Sequence, residues 1–224
     1  MSRPTENTKK VIVIGDGCVG KTCLVAKLTE GKFINNYHVT IGVEYGVKSF
    51  VRGEKEIRLR LWDIAGQDPF RALMPQYARG SEAAIVMCDA TRSETMEQGA
   101  TLWKKSVDES VCLSNGQRIP CVLLVNKCDR PKNQHQISQD RAFEFARDNG
   151  FIKYFETSVK DGTNITEALE YLLDVVLAYE EDGQMLTSAY QDGIRLSATY
   201  SRAKKQNSGC CGQVADDSDP RYKK

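Results

Sequence analysis

Strand-length apolar runs that alternate with stretches of helical spacing confine this chain to a narrow set of folds. Val11-Ile12-Val13-Ile14 precedes a helical stretch from about Lys21 to Leu28, and two strands follow. The runs at 83–87 and 121–125, and the short one at 154–156, each lead into a further helical pattern. Strands apolar on both faces and separated by helices pack as a parallel sheet covered on both sides, the α/β class. The last helix reads most clearly: Ile165, Ala168, Leu169, Leu172, Leu173 and Val176 repeat at three and four, with Asn164 placed three residues before Glu167 as a cap. Met96, Ala100, Trp103, Val107 and Val111 hold the same spacing and form a core face. Residues 55–62 differ, because Ile57, Leu59 and Leu61 alternate with Arg58, Arg60 and Trp62. That pattern predicts a half-exposed strand paired antiparallel with residues 42–50 through a turn at Arg52-Gly53-Glu54.

Composition excludes several functions. Lys plus Arg number 31 against 30 Asp plus Glu, so no global field gathers nucleic acid or acidic lipid. The only histidines, His38 and His135, are far apart in the chain, which leaves little for a histidine-rich metal site or a His-paired nucleophile. The 8 cysteines show no zinc-knuckle spacing and read as reduced, cytosolic thiols. The start lacks an apolar signal core and no apolar run is long enough to span a bilayer, so the expected location is cytoplasmic. The pattern dissolves after about Glu181, so residues 1–8 and 182–224 are expected to be disordered, flanking one domain at 9–181.

Four motifs carry the chemistry. Gly15-Asp16-Gly17-Cys18-Val19-Gly20-Lys21-Thr22 fits the phosphate-binding loop, between a strand and a helix as the mechanism requires. Its glycines let consecutive N–H groups and the helix N-terminus face phosphates, Lys21 adds a point charge, and the Thr22 hydroxyl is a ligand for Mg²⁺. Trp62-Asp63-Ile64-Ala65-Gly66-Gln67 follows the alternating strand. There Asp63 can hold Mg²⁺ through its water shell, Gly66 offers an unobstructed N–H, and Gln67 can orient an attacking water. Asn126-Lys127-Cys128-Asp129 follows another strand. A carboxylate placed like Asp129 accepts from guanine N1–H and its exocyclic amine, a donor pair adenine lacks, while Lys127 and Phe33 can flank the base. Thr157-Ser158-Val159-Lys160 follows the last strand and could offer backbone N–H groups to guanine O6. The four occur in that order, each after a strand, and so converge on one edge of one sheet as a guanine-nucleotide site.

These residues resemble the Ras superfamily of small GTPases and, within it, the Rab family. Ile41-Gly42-Val43-Glu44-Tyr45, Arg58-Leu59-Arg60-Leu61-Trp62, Phe70-Arg71, Tyr77-Ala78-Arg79-Gly80 and Cys88-Asp89-Ala90-Thr91 carry the likeness over about 9–180. The resemblance implies a P-loop NTPase fold, a six-stranded, mostly parallel sheet with one antiparallel strand and five helices on both faces. It implies GTP and GDP as substrate and product, Mg²⁺ as cofactor, and two nucleotide-ordered switches at about 35–43 and 65–77. Cys23 and Tyr37 join the nucleotide contacts by the same likeness, and Thr40 looks like the switch threonine that ligates Mg²⁺. No arginine lies between Gly15 and Tyr45, so unaided hydrolysis is expected to be slow, on the order of 10⁻⁴ s⁻¹, and to rise with an activating protein. Tyr45, Trp62 and Tyr77 resemble the aromatic triad through which Rab proteins read effectors; alternatively the second switch simply covers Trp62. Implied partners are an exchange factor, a GTPase-activating protein, effectors and, if the tail is prenylated, a GDP-dissociation inhibitor or escort protein, with a monomeric protein and no nucleic acid.

The chain departs from the Rab pattern at Pro69, Ala78 and Val159. Ile64 and the loop Leu113-Ser114-Asn115-Gly116-Gln117 look like the Rab branch linked to lysosome-related organelles and autophagy. Cys210-Cys211 is followed by GQVADDSDPRYKK, with no C-a-a-X box. With Arg195, Arg202, Lys204 and Lys205 before it, the pair could be lipidated and anchor the protein to the cytosolic face of an endosomal, lysosome-related or autophagic membrane; the other reading is a solvated tail with idle thiols. The expected function is a GTP/GDP switch in vesicle traffic, with a nucleotide-locked scaffold of negligible hydrolysis as the alternative.

Overall fold

Six strands form one sheet: β1 (Thr8–Gly15), β2 (Val43–Arg52), β3 (Lys55–Ile64), β4 (Ala83–Asp89), β5 (Cys121–Asn126) and β6 (Lys153–Thr157). Their spatial order is β2-β3-β1-β4-β5-β6, parallel except for β2. The protein is seen in a computed structural model that describes residues 7–34, 39–67, 72–113, 116–131 and 136–182, with side chains through Tyr179. Five helices complete the fold: α1 (Lys21–Glu30), α2 (Met74–Ala78), α3 (Thr101–Ser110), α4 (Gln139–Asp148) and α5 (Ile165–Asp182). The fold is the α/β architecture that the resemblance implied.

Period-two alternation divides the core. Val11 and Val13 of β1 face one cluster with Ile57, Leu59 and Leu61, packed on Leu24 of α1 and Leu169, Leu172 and Leu173 of α5. Ile12 and Ile14 face the other, with Met74 of α2, Trp103 of α3 and Phe145 of α4. Each Val, Ile or Leu so buried contributes about 1.5–3 kcal/mol. The hairpin forms as read: Arg52 pairs with Lys55 across a two-residue connection, where Gly53 takes φ 60°. Arg58 and Arg60 stay exposed, on the face of β3 opposite the buried Ile57, Leu59 and Leu61.

Two local readings need correction. Met96 and Ala100 are buried as their spacing indicated, but residues Thr95–Ala100 form a π-helical segment that leads into α3. Asn164 does not cap α5 with its side chain; it sits at φ 56° and its amide Nδ2 donates to the Glu156 carbonyl at 2.8 Å, tying the helix start back to β6. Register sets the site. Val13 lies opposite Asp63, Gly15 opposite Met87, and Asp89, Asn126 and Thr157 line up across three strands. The loops after β1, β3, β4, β5 and β6 therefore leave from one edge, where ligands of open α/β sheets bind.

Candidate functional site

The loop from Asp16 to Gly20 joins the end of β1 to the start of α1, so its amides lie at a helix N-terminus. Lys21 Nζ donates to the Gly15 and Asp16 carbonyls, both at 2.8 Å. Burial pushes its amine down to about 8, against the opposing pull of Asp63 and Asp16. An anionic ligand would supply the partner such a buried cation needs. Gly66 closes over this loop: a Cβ there would lie 2.5 Å from the Gly15 carbonyl and 2.5 Å from Lys21 Nζ, so only glycine brings the D-x-x-G backbone this near.

Beside Lys21, three hard oxygens converge. Thr22 Oγ1 donates to Asp63 Oδ2 at 2.5 Å, Thr22 and Thr40 Oγ1 are 2.9 Å apart, and Thr40 Oγ1 donates to Asp63 Oδ2 at 3.5 Å. Burial raises the Asp63 carboxyl, while the Thr22 hydroxyl and Lys21 pull it back down. Its Oδ1 is buried without a hydrogen-bond partner. Adjacent ligands of octahedral Mg²⁺ at 2.0–2.1 Å are about 2.9 Å apart, so the donor chemistry and spacing suit that ion.

The base end is built by β5 and β6. Asn126, 2 % exposed, donates from Nδ2 to the Val19 carbonyl at 2.8 Å and accepts at Oδ1 from the Val159 N–H at 3.1 Å. Both ends of its amide thus join the phosphate loop to the T-S-x-K stretch. Of the backbone donors in T-S-x-K, the Val159 N–H is engaged by Asn126, the Ser158 N–H by the Thr163 carbonyl, and the Lys160 N–H has no acceptor among the described residues. Ser158 Oγ donates to Asp129 Oδ1 at 2.8 Å and orients that carboxylate. Lys127, held at φ 69°, donates from Nζ to the Cys18 carbonyl at 2.7 Å, which lays its stem along the wall.

One open cavity of about 690 Å³ gathers these parts. From the first loop and helix it takes Gly17, Cys18, Gly20, Lys21, Thr22 and Cys23, and from the segment after α1 it takes Phe33 and Thr40. Gly66 and Gln67 close one side; Asn126, Lys127, Asp129, Val159 and Lys160 close the other. Val19, Asp63 and Ser158 lie behind its surface as supports. Asp16 is also behind it, since its carboxylate turns away and accepts from Trp103 Nε1 at 2.9 Å. Tyr37, Pro69, Phe70, Arg71, His38, His135, Cys210 and Cys211 lie outside the described residues.

Sequence reading missed a clamp behind the loop. Asp89, buried at the end of β4, pairs with Lys127 Nζ at 2.6 Å and Arg92 Nε at 3.2 Å, and Arg92 in turn donates to the Gly17 carbonyl at 3.2 Å. Burial alone would raise the Asp89 carboxyl, but Lys127 and Thr91 hold it below the usual carboxylate range. The only sequence signal was the family-like Cys88-Asp89-Ala90-Thr91, which says nothing of its partners.

On the outer face Tyr45 and Trp62 pair across β2 and β3 with ring centroids 6.0 Å apart, Tyr45 being 66 % exposed. Lys10 Nζ sits 4.1 Å from the Trp62 ring and donates to the Tyr77 carbonyl at 2.7 Å, bringing the third aromatic residue beside them. The six described cysteines are free thiols, and burial pushes Cys121 up to about 12. No helix among the described residues is long and apolar enough to cross a membrane.

A mostly parallel sheet with a phosphate loop on its first strand and a base pocket on its last two defines a P-loop nucleotide-binding protein. The Ras family profile matches residues 10–178. The chain is 36 % identical to the human Ras-related protein Rab-7L1 over 203 residues, 90 % of this chain and 96 % of that one. It is 37 % identical to human Ras-related protein Rab-32 over 207 residues, covering 92 % and 90 %, and 33 % identical to Rab-32B of Dictyostelium discoideum over 204 residues, covering 90 % and 76 %. The chain belongs to the Ras family and is a small GTPase of the Rab type.

Proposed function

We propose that this protein is a Mg²⁺-dependent GTP/GDP switch that hydrolyses GTP slowly and controls an intracellular membrane-trafficking step. The observation that carries the reading is the single cavity into which the phosphate loop, Thr40, Gly66-Gln67, the N-K-x-D segment and the T-S-x-K segment all project. Lys21 exchanges the Gly15 and Asp16 carbonyls for phosphate oxygens. Asp129, steadied by Ser158, accepts from the guanine N1–H and exocyclic amine, and the Lys160 N–H meets O6; an adenine base offers that carboxylate no matching donor pair and would leave it unpaired against the base. Thr22, Thr40 and Asp63 would hold Mg²⁺, which when bound neutralises phosphate charge. Gln67, at the cavity wall, orients the attacking water.

Loss of the γ-phosphate removes a partner of the Thr40 and Gly66 backbone, so both segments change state and Tyr45, Trp62 and Tyr77 present a different surface to effectors. Exchange and activating factors set the cycle. Likeness to Rab-32 and Rab-7L1 supports an endosomal, lysosome-related or autophagic membrane, with Cys210 and Cys211 as lipidation sites. Competition of GTP, GDP and ATP for the purified full chain, with and without Mg²⁺, followed by multiple-turnover hydrolysis, tests the reading. Guanine preference, Mg²⁺-dependent retention and slow turnover are expected. Equal competition by ATP would remove Asp129 from its role, and no turnover even with an activating protein would favour a nucleotide-locked scaffold.

A further inference from the structure

An anion stands where a phosphate site tolerates one least. Asp16 is the second residue of the phosphate loop, its carbonyl accepts from Lys21 Nζ, and its side chain would meet the nucleotide's own charge if it turned toward the cavity. It turns the other way. Its Oδ1 accepts from the indole N–H of Trp103 at 2.9 Å, 87 residues along the chain, and Trp103 is itself fully buried on α3. The carboxylate lies directly against Gly99, where a Cβ would collide with both carboxylate oxygens and with Cγ. Gly99 belongs to the π-helical segment Thr95–Ala100, whose first residue is anchored to the end of β4 through Thr95 Oγ1, accepting from the Asp89 N–H at 2.9 Å and donating to the Arg92 carbonyl at 2.7 Å. Such π-helical insertions mark functional positions. Here the wide turn brings a residue without a side chain against the loop.

We propose that Trp103 and Gly99 are positioning residues of the nucleotide site: together they form a receptacle that holds the Asp16 carboxylate away from the phosphates and thereby keeps the phosphate loop binding-competent. The inference rests on the phosphate-loop reading above. Because α3 also packs on α2, the same contact ties the loop to the second switch. Neither residue touches the nucleotide, and both act through Asp16.

The test is the rate at which full-length protein releases fluorescent GDP. The unsubstituted chain is measured first, and failure to retain GDP there would overturn the nucleotide reading itself and this inference with it. Trp103→Phe keeps a smaller aromatic ring and removes the donor; Gly99→Ala adds one methyl whose three nearest atoms all belong to the Asp16 carboxylate, so the clash falls on the end of a side chain. Each is expected to speed release about tenfold or more, the scale of a lost hydrogen bond to a charged group. Asp16→Ala alone should release GDP more slowly than Trp103→Phe, and adding Asp16→Ala to either variant should return the rate to that of Asp16→Ala alone, because the misplaced charge is gone. Release within twofold of the unsubstituted chain for both Trp103→Phe and Gly99→Ala would overturn the proposal. So would double variants as fast as the single ones, which is what lost packing alone predicts.

Discussion

Asn126→Ala tests the idea that this residue joins two loops and does not simply line the base pocket. The substitution removes the 2.8 Å bond to the Val19 carbonyl and the 3.1 Å bond from the Val159 N–H at a side chain 2 % exposed, so neither partner regains water. Two net hydrogen bonds at about 1 kcal/mol each, plus part of the desolvation cost of the stranded N–H and carbonyl, give roughly 2–4 kcal/mol. For a domain of this size that corresponds to a melting point lower by about 5–15 °C. Urea unfolding of the nucleotide-free and GDP-loaded forms provides the assay, since GDP adds stability only in proportion to its retained affinity. The joint predicts that both quantities fall together. Lost GDP affinity with unfolding free energy changed by less than about 1 kcal/mol would mean that Asn126 acts on the base directly, and the reasoning would fail.

Asp129→Asn should erode the preference for GTP over ATP with little change in stability, because Ser158 is its one hydrogen-bond partner among the described residues and the pocket stays open; competition binding reads this. Gln67→Leu should leave nucleotide affinity near normal and slow single-turnover hydrolysis by at least tenfold, with unchanged hydrolysis removing Gln67 from its role. In the nucleotide-free protein the buried Lys21 amine, lowered to about 8 from 10.5, carries a charge the fold disfavours below about pH 8. The unfolded chain binds more protons between those values, so stability should rise with pH from about 8 to 10.5. Lys21→Met should flatten that slope, and so should GDP, whose phosphates pair with the amine; a slope unaltered by either would show that another group causes it.

What could be read in the sequence and what could not divide along a physical line. Runs such as 11–14 and 121–125, and the alternation at 55–62, announce strands because burial on two faces or one leaves a local periodic trace. The four motifs follow those strands, so their meeting at one sheet edge was legible from order alone. Side-chain direction inside a loop leaves no such trace. Nothing in Gly15-Asp16-Gly17 tells that Asp16 faces α3, because the donor lies 87 residues away. Likewise nothing in Asn126-Lys127-Cys128-Asp129 tells that Val19 and Val159 use both ends of the Asn126 amide. The π-helical turn at Thr95–Ala100 hid for a related reason: Met96, Ala100 and Trp103 fit helical spacing equally well, and the backbone difference appears only where Gly99 meets a carboxylate. The contacts that the sequence leaves unread are therefore those whose partners are distant in the chain and polar. Asn126 lines the cavity while joining the loops behind it, and Trp103 and Gly99 reach the site only through Asp16, so support for the nucleotide-facing groups comes from contacts that no local spacing announces.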